Sequence, residues 1–293
     1  MIYLALSVIL TSYLTLFFKI IERYKIPPFQ AILFNYLTCI TEGSIIGHTY
    51  PYKNAIQEHW LIWALVLGCL FISMFNLVGY ITQNAGVSVA SVANKLSLVI
   101  PFAFSIYLYH EHLGLARIAG IVVALLAVVF TCLPSRNKEN ESSKKGSALI
   151  YFGLPAILFL GSGCLDTVVK FVQQSYLGPA NENTFLVSSF ATAGIIGFTL
   201  LFLLLIMGKQ KFNSKSIVAG IALGIPNYFS IWFLVKVLKQ YEGSSSAIIP
   251  VNNMGIVLVS SIAGWLLFKE KMSAINWTGI LLSVAAIALI AFG

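Results

Sequence analysis

A lysine and an asparagine stand in the middle of an otherwise apolar stretch of the chain. The stretch runs from Val87 to Tyr109, VSVASVANKLSLVIPFAFSIYLY, with Asn94 and Lys95 near its centre. Its length suits a helix that crosses a bilayer, which needs about 20 mostly apolar residues. A charge at that depth costs about 2.5–3.5 kcal/mol, so it normally faces a bundle interior or a wet cavity. We therefore predict that Lys95 belongs to a polar centre of the molecule.

Two serines share the helical face of this lysine. Ser88, Ser91 and Lys95 follow the spacing i, i+3, i+7, which places them on one side of a helix with Asn94 beside them. Lys95 then either meets an anionic group of a substrate or gates access, or it forms a structural ion pair with a buried acid. We favour the substrate hypothesis because a buried ion pair is rarely the least costly way to hold helices together.

Two acidic residues also fall inside apolar stretches. Glu42 and Asp166 are candidates for proton coupling, because intramembrane acids often form relays, and each is a candidate partner for Lys95. For Glu42 we leave two alternatives open: it couples transport to protons, or it is a partner of Lys95 or a hydrated residue near the membrane interface. Asp166 stands one helical turn before Lys170, which favours a structural pair along the helix.

Paired asparagines follow a proline in the second half of the chain. Asn252 and Asn253 come just after Pro250, which removes one helical hydrogen bond and can turn backbone carbonyls toward a cavity. The asparagines then bind polar groups of a substrate, or they hydrogen-bond a neighbouring helix. We favour the binding hypothesis because Asn94 occupies the corresponding level of the first half.

The composition predicts an all-α polytopic membrane protein. Of 293 residues, 58% are hydrophobic and 10% are charged, whereas a soluble domain has about 25% charged residues. The net charge of +8 lies mostly in short loops, where it acts as a topology signal, so nucleic acid is not an expected partner. We expect a multi-pass protein of the cell membrane that contacts the lipid bilayer.

Neither a metal nor another cofactor is expected. His110, Glu111 and His112 are consecutive residues, which do not face one point on a helix. The four cysteines lie in apolar runs without CxxC spacing. A Walker motif is also missing from the sequence, so direct ATP hydrolysis is not expected.

Ten apolar segments divide into two halves of five. They cover about 2–22, 29–49, 59–82, 87–109, 114–134, 147–172, 183–208, 216–239, 244–268 and 273–292. The polar stretch 135–146, SRNKENESSKKG, separates the halves 1–134 and 147–293 as an exposed linker loop. Because five crossings is an odd number, the second half must enter the membrane in the opposite sense. Inverted repeats of this kind are typical of secondary transporters.

Matched residues support the repeat. Asn94, Glu111 and Gly120 correspond to Asn253, Glu270 and Gly279 at one constant offset (253 − 94 = 270 − 111 = 279 − 120 = 159). The segments that carry these matches are YITQNAGVSVASVANKLSLVIPFAFSIYLYHEHLGLARIAGIVVALL and KQYEGSSSAIIPVNNMGIVLVSSIAGWLLFKEKMSAINWTGILLSV. On these segments the chain resembles the drug/metabolite transporter superfamily, in particular its EamA-like members.

The family pattern has a proline within the fourth helix, a glutamate in the turn after it and a glycine inside the fifth. The residues that fit this pattern are Pro101, Glu111 and Gly120 in the first half and Glu270 and Gly279 in the second. Ser260 stands where the second proline would be. The resemblance implies transport, without a particular substrate. It leads us to expect an exporter or exchanger of small polar metabolites such as amino acids, with protons as a candidate coupling ion, acting as a monomer or homodimer.

Two other functions compete with transport, and the orientation is open. A non-transporting scaffold or sensor would bind no solute. An intramembrane lipid-modifying enzyme is a poor fit, because all four histidines lie in or next to loops. Eleven basic residues fall in loops after odd-numbered helices and three in loops after even-numbered ones. The positive-inside rule then puts both termini outside, whereas the family resemblance implies cytoplasmic termini.

Overall fold

The computed structural model describes residues 2–53, 55, 58–102, 115–133, 149–178, 181–240 and 245–292. Ten α-helices lie within these ranges, and we number them in chain order. They are α1 (Ile2–Arg23), α2 (Pro28–Ile46), α3 (Leu61–Asn84), α4 (Val87–Leu96), α5 (Leu115–Cys132), α6 (Leu154–Ser175), α7 (Glu182–Ile206), α8 (Lys215–Gln240), α9 (Ser245–Phe268) and α10 (Ala274–Phe292). A π-helical turn, Leu149–Gly153, precedes α6. Since no strand occurs in the ranges described, the all-α prediction is confirmed there.

The fourth segment is not one unbroken helix. α4 ends at Leu96, residues 97–98 form a turn, and residues 99–102 are helical again. Pro101 has no N–H to donate to the carbonyl of Ser97 four residues earlier. That carbonyl instead accepts the N–H of Ile100 at 2.9 Å, which is the tighter i→i+3 bond of a turn. The expected remainder of this helix, 103–109, lies outside the described residues, as do Glu111 and the linker 135–146.

The chain forms two compact units, each drawn from both halves of the sequence. Unit 1 comprises Met1–Lys19, Leu77–Cys164 and Ser230–Gly293, and unit 2 comprises Ile20–Asn76 and Leu165–Phe229. These units describe spatial compactness, whereas the predicted halves 1–134 and 147–293 describe sequence repetition. The division into repeats therefore stays a prediction.

Each unit has its own apolar core. In unit 1, buried side chains of α4, α5, α9 and α10 meet in one cluster, and α10 packs closely on α5. In unit 2, Trp60 lies in a cluster with Val172 and Phe185, and α2 packs against α7. Trp60 and Phe185 meet edge to face with ring centroids 5.9 Å apart, a preferred geometry for aromatic pairs.

The outward surface of the helices is strongly apolar. Large hydrophobic side chains stay exposed, among them Val218, Leu267 and Ile62 at 69%, 69% and 65%. Six helices are each long and apolar enough to cross a membrane: α1, α3, α6 with its π-helical turn, α7, α8 and α9. Shorter apolar helices lie within 87–102, 118–132 and 274–290. A surface of this kind is matched by lipid rather than water, so the protein is a multi-pass membrane protein.

Candidate functional site

The five residues predicted to bind substrate all lie in unit 1, on two helices that pack against each other. Ser91, Asn94 and Lys95 belong to α4, and Asn252 and Asn253 belong to α9. Ser91 and Asn252 are buried, at 2% and 3% exposed, whereas Asn94, Lys95 and Asn253 are half-buried.

Two of these buried side chains keep a polar atom without a hydrogen-bond partner among the described residues. They are the Oγ of Ser91 and the Oδ1 of Asn252. Leaving a buried polar atom unpaired costs about 1–3 kcal/mol, and most such atoms in proteins are paired with protein or water. The two atoms therefore suit a position that water or a polar solute fills.

Pro250 adds a backbone acceptor one turn before the asparagines. It lies inside α9, where its missing N–H leaves the carbonyl of Ser246 without the usual donor four residues later. Freed carbonyls in broken membrane helices are satisfied by neighbouring groups or by a cavity. Unit 1 thus combines an amide oxygen, a hydroxyl and a lysine on two packed helices, one of which is interrupted by a proline.

Glu270 lies at the N-terminus of α4, although about 180 residues of sequence separate them. Its Oε1 accepts the backbone N–H of Val87 at 2.7 Å, and its Oε2 accepts the hydroxyl of Ser88 at 3.5 Å. Gly86 precedes this turn with φ 124°, a conformation that favours glycine. A carboxylate at this end of a helix pairs an orphan N–H and opposes the positive end of the dipole.

The two glycines of the repeat motif both lie at the contact between α5 and α10. A Cβ atom on Gly120 would stand 2.8 Å from the Cγ1 of Ile290, and one on Gly279 would stand 2.5 Å from the Oγ1 of Thr131. Both helices therefore need glycine where they cross. The pairs are related by the offset of the sequence repeat (279 − 120 = 290 − 131 = 159).

The two candidate coupling acids lie in unit 2. Glu42, on α2, is half-buried and its Oε2 is buried with no partner among the residues described. Asp166, on α6, is exposed, and Lys170 one turn later is exposed too.

An amide pair that joins α2 to α8 in unit 2 was not among the predicted site residues. Asn227 donates its Nδ2 hydrogen to the Oδ1 of Asn35 at 3.1 Å, and the Nδ2 of Asn35 has no acceptor in the described part of the chain. Asn35 is fully buried on α2, one turn from the thiol of Cys39, which donates to the same Oδ1 at 3.8 Å. The available signal was Pro226, which stands directly before Asn227 as Pro250 stands just before the paired asparagines.

A lysine near the end of α1 binds the end of α3. The Nζ of Lys19 donates to the carbonyl of Gln83 at 2.7 Å, in the last turn of α3. Gln83 in turn donates to the carbonyl of Phe18 at 3.0 Å. A cation at a helix C-terminus pairs an orphan carbonyl and opposes the negative end of the dipole.

Metal chemistry finds no support in the ranges described, which hold no group of three or more His, Cys, Asp or Glu side chains that would bind an ion. Cys39 and Cys132 are buried free thiols, and Cys69 and Cys164 are exposed ones.

Comparison with known proteins matches this architecture. The model of the EamA-like transporter family matches residues 1–133. An uncharacterized protein of Haemophilus influenzae is 31% identical over 275 residues, which cover 92% of this chain and 90% of that protein. The chain belongs to the EamA-like transporter family. This family consists of membrane transporters of the drug/metabolite type, and the membership supports a small-molecule substrate.

Two more distant matches add to the comparison. A WAT1-related protein of Arabidopsis thaliana is 25% identical over 186 residues, and the match covers 61% of this chain and 44% of that protein. A crystal structure of another protein superposes with a TM-score of 0.62 at 15% identity, covering 98% of this chain and 94% of that one. The superposition shows a shared fold over nearly the whole chain.

Proposed function

We propose that this protein is a secondary transporter, an exporter or exchanger, of small polar metabolites such as amino acids or related compounds. Transport would proceed by alternating access between two inverted repeats of five transmembrane helices each. Substrate would bind in unit 1 at Lys95, Asn94, Ser91, Asn252 and Asn253. Glu42 is the first candidate for proton coupling, with Asp166 as the second.

The observation that carries the proposal is the pair of unpartnered polar atoms on α4 and α9. Ser91 and Asn252 are buried within apolar helices, yet neither the Ser91 hydroxyl nor the Asn252 carbonyl oxygen has a partner among the described residues. Lys95 stands one turn after Ser91 on the same helix. A cation beside donors and acceptors suits a solute with an anionic group and further polar atoms, which describes an amino acid.

The contact between α5 and α10 supports the inverted repeat. Gly120 meets Ile290 and Gly279 meets Thr131, so each partner of one contact has its repeat counterpart in the other. A two-fold axis produces this pattern, in which each contact repeats with the two helices interchanged. The order of the contacts also fits antiparallel helices: Gly120 of α5 meets Ile290 of α10, and Thr131, later in α5, meets Gly279, earlier in α10.

Thermal unfolding of the purified protein tests the binding site. We would screen amino acids, nucleosides, organic acids and amines against wild type, Lys95→Ala and Lys236→Ala. Lys236 is an exposed lysine of unit 1 whose Nζ lies 3.9 Å from the Trp232 ring centroid, and it serves as the matched control. A bound solute at a hundredfold excess over its Kd adds about 2.7 kcal/mol of stability. We expect stabilisation of wild type and the control by an anionic or zwitterionic solute, and none of Lys95→Ala.

The outcomes separate the parts of the proposal. Equal stabilisation of all three proteins would remove Lys95 from the site and leave transport standing. If no solute in the library stabilises the protein, a scaffold or sensor would be favoured.

Once a stabilising solute is known, its flux into proteoliposomes under a pH gradient tests proton coupling. Glu42→Gln should lose the flux that the gradient drives and keep solute exchange. Gradient-driven flux at the wild-type rate in that variant would exclude Glu42 as the coupling acid.

A further inference from the structure

The segment that joins α2 to α3 is folded against the first turns of α7 in unit 2. Thr49 shares a hydrogen bond of 2.7 Å with Thr184 through their hydroxyls. Tyr52 makes two more bonds: its backbone N–H donates to the Oγ of Ser188 at 2.9 Å, and its phenol oxygen lies 2.8 Å from the Oγ1 of Thr192. Two residues of this connecting segment thus make three hydrogen bonds to one helix.

The partners of these bonds form a polar face on α7. Thr184, Ser188 and Thr192 follow the spacing i, i+4, i+8, so their hydroxyls share one side of the helix, and all three are buried. Ser188 donates to the carbonyl of Thr184, and Thr192 donates to the carbonyl of Ser188. Because each of these two hydroxyl hydrogens is used within the helix, the oxygens face the segment as acceptors. The face therefore suits hydrogen-bond donors such as hydroxyl, ammonium or amide N–H groups.

The phenol of Tyr52 reaches far along α7. Thr192 stands ten residues after Glu182, where α7 begins, which is about 15 Å at 1.5 Å per residue. This is about half of a hydrocarbon core of about 30 Å. A hydroxyl from a connecting segment thus binds an acceptor well inside a membrane helix, and the same acceptor suits a solute hydroxyl or ammonium.

The backbone of the segment is strained at Tyr52. Its φ of 59° lies in the left-handed region that bulky side chains rarely adopt. Such strain persists only when surrounding contacts hold it, and it is typical of switch segments. Trp60 is the last residue of the segment before α3, and it packs in the same cluster as Tyr52. Its indole N–H is buried without an acceptor among the residues described.

We infer that Tyr52 is a gate that closes a polar track along the Thr184, Ser188 and Thr192 face of α7. In the closed conformation seen here its phenol takes the place of a donor group of the solute. Opening breaks the bonds to Ser188 and Thr192, relaxes the backbone of Tyr52 and exposes the track to water. The inference rests on the proposed transport function, because a gate matters only where a solute passes.

Cysteine labelling in proteoliposomes tests the gate without a known solute. The exposed Cys69 and Cys164 are replaced by serine in every protein, Cys39 and Cys132 stay as buried reference thiols, and Thr192→Cys is the reporter. A quaternary-ammonium methanethiosulfonate is added from the water phase, and mass spectrometry gives the modification rate of each cysteine. The compared proteins carry Tyr52, Tyr52→Phe or Tyr52→Ala, with Tyr50→Ala as the control. Tyr50 is an exposed tyrosine of the same segment.

We expect Tyr52→Ala to label the reporter at least about tenfold faster, because the side chain that contacts position 192 is removed. Tyr52→Phe should label it at about the parent rate, because Thr192→Cys already removes the oxygen that the phenol binds. The control should label at the rate of the parent protein, and the two reference thiols should stay protected in all four. An unchanged reporter rate in Tyr52→Ala overturns the gate. Equal acceleration of the reporter and both reference thiols also overturns it, because that result indicates a loosened fold. A failure to find a transported solute leaves these rates unaffected, so the two proposals fail separately.

Discussion

At the scale of single residues, Glu270 joins two distant parts of the chain through one carboxylate. It accepts the Val87 N–H at 2.7 Å, and a Cβ atom on Gly86 or Gly264 would lie within 3.2 Å of its oxygens. The close approach of the two glycines keeps the carboxylate at the end of α4. The structure thus gives this repeat-motif glutamate the geometry of an N-terminal cap for α4.

Replacing Glu270 should lower the free energy of unfolding, and by more when both its charge and its hydrogen-bond acceptor are removed. Glu270→Gln keeps an acceptor but loses the charge, and we expect a loss of about 1 kcal/mol. Glu270→Ala also leaves the Val87 N–H unpaired, and we expect a loss of about 2 kcal/mol. Thermal unfolding in detergent measures both, with Lys271→Gln, an exposed neighbour, as the control. A melting temperature of Glu270→Ala equal to that of wild type would contradict the capping role.

At the scale of helices, the contact of α5 with α10 depends on two glycines in unequal settings. At Gly279 an added Cβ would meet the backbone N of Thr131 at 2.6 Å, and backbone cannot move without separating the helices. At Gly120 the nearest atoms belong to side chains, the Cγ1 of Ile290 at 2.8 Å and the Cβ of Leu289 at 3.0 Å, and the nearest backbone atom, the N of Ile290, is farther away at 3.1 Å. The same substitution should therefore have different costs in the two repeats.

We expect Gly279→Ala to lower the free energy of unfolding by about 1–3 kcal/mol, as overpacking does, and Gly120→Ala to lower it by less. Gly178→Ala is the control, because no atom lies within 4 Å of its Cβ position. Unfolding of the three variants in one detergent would rank them. If Gly120→Ala were the less stable of the two motif variants, the rigid-backbone explanation would be wrong.

The helices were predictable from the sequence, and several contacts were not. Each of the ten described helices corresponds to one of the ten apolar segments, because a run of about 20 apolar residues has few other solutions in lipid. Pro101 in the sequence gives a reason for a turn in the fourth segment. The turn lies at residues 97–98 because the N–H that Pro101 lacks would have bonded to the carbonyl of Ser97. The docking of Tyr52 on α7 had no signal, since hydrophobic periodicity does not report how a connecting segment folds.

At the scale of the whole molecule, the distribution of basic residues predicts an orientation. Eleven lysines and arginines fall at or after the ends of odd-numbered predicted segments, and three fall at or after the ends of even-numbered ones. Cytoplasmic loops carry the excess of positive charge, and this bias sets the overall orientation of a membrane protein. For the proposed ten crossings, the charge bias predicts that both termini, and the segment that holds Tyr52, lie on the outer side.

A reporter fused after Gly293 tests this orientation. Alkaline phosphatase is active only outside the cytoplasm, and green fluorescent protein exported unfolded fluoresces only inside it. We expect phosphatase activity and no fluorescence, because the charge difference is large and lies mostly in loops short enough to obey the rule. Arg136, Lys138, Lys144 and Lys145 supply the largest single share, so replacing them with glutamine should weaken the bias and give mixed activity. Fluorescence without phosphatase activity in the unmodified chain would place the termini in the cytoplasm, and the Tyr52 gate would then face the cytoplasm.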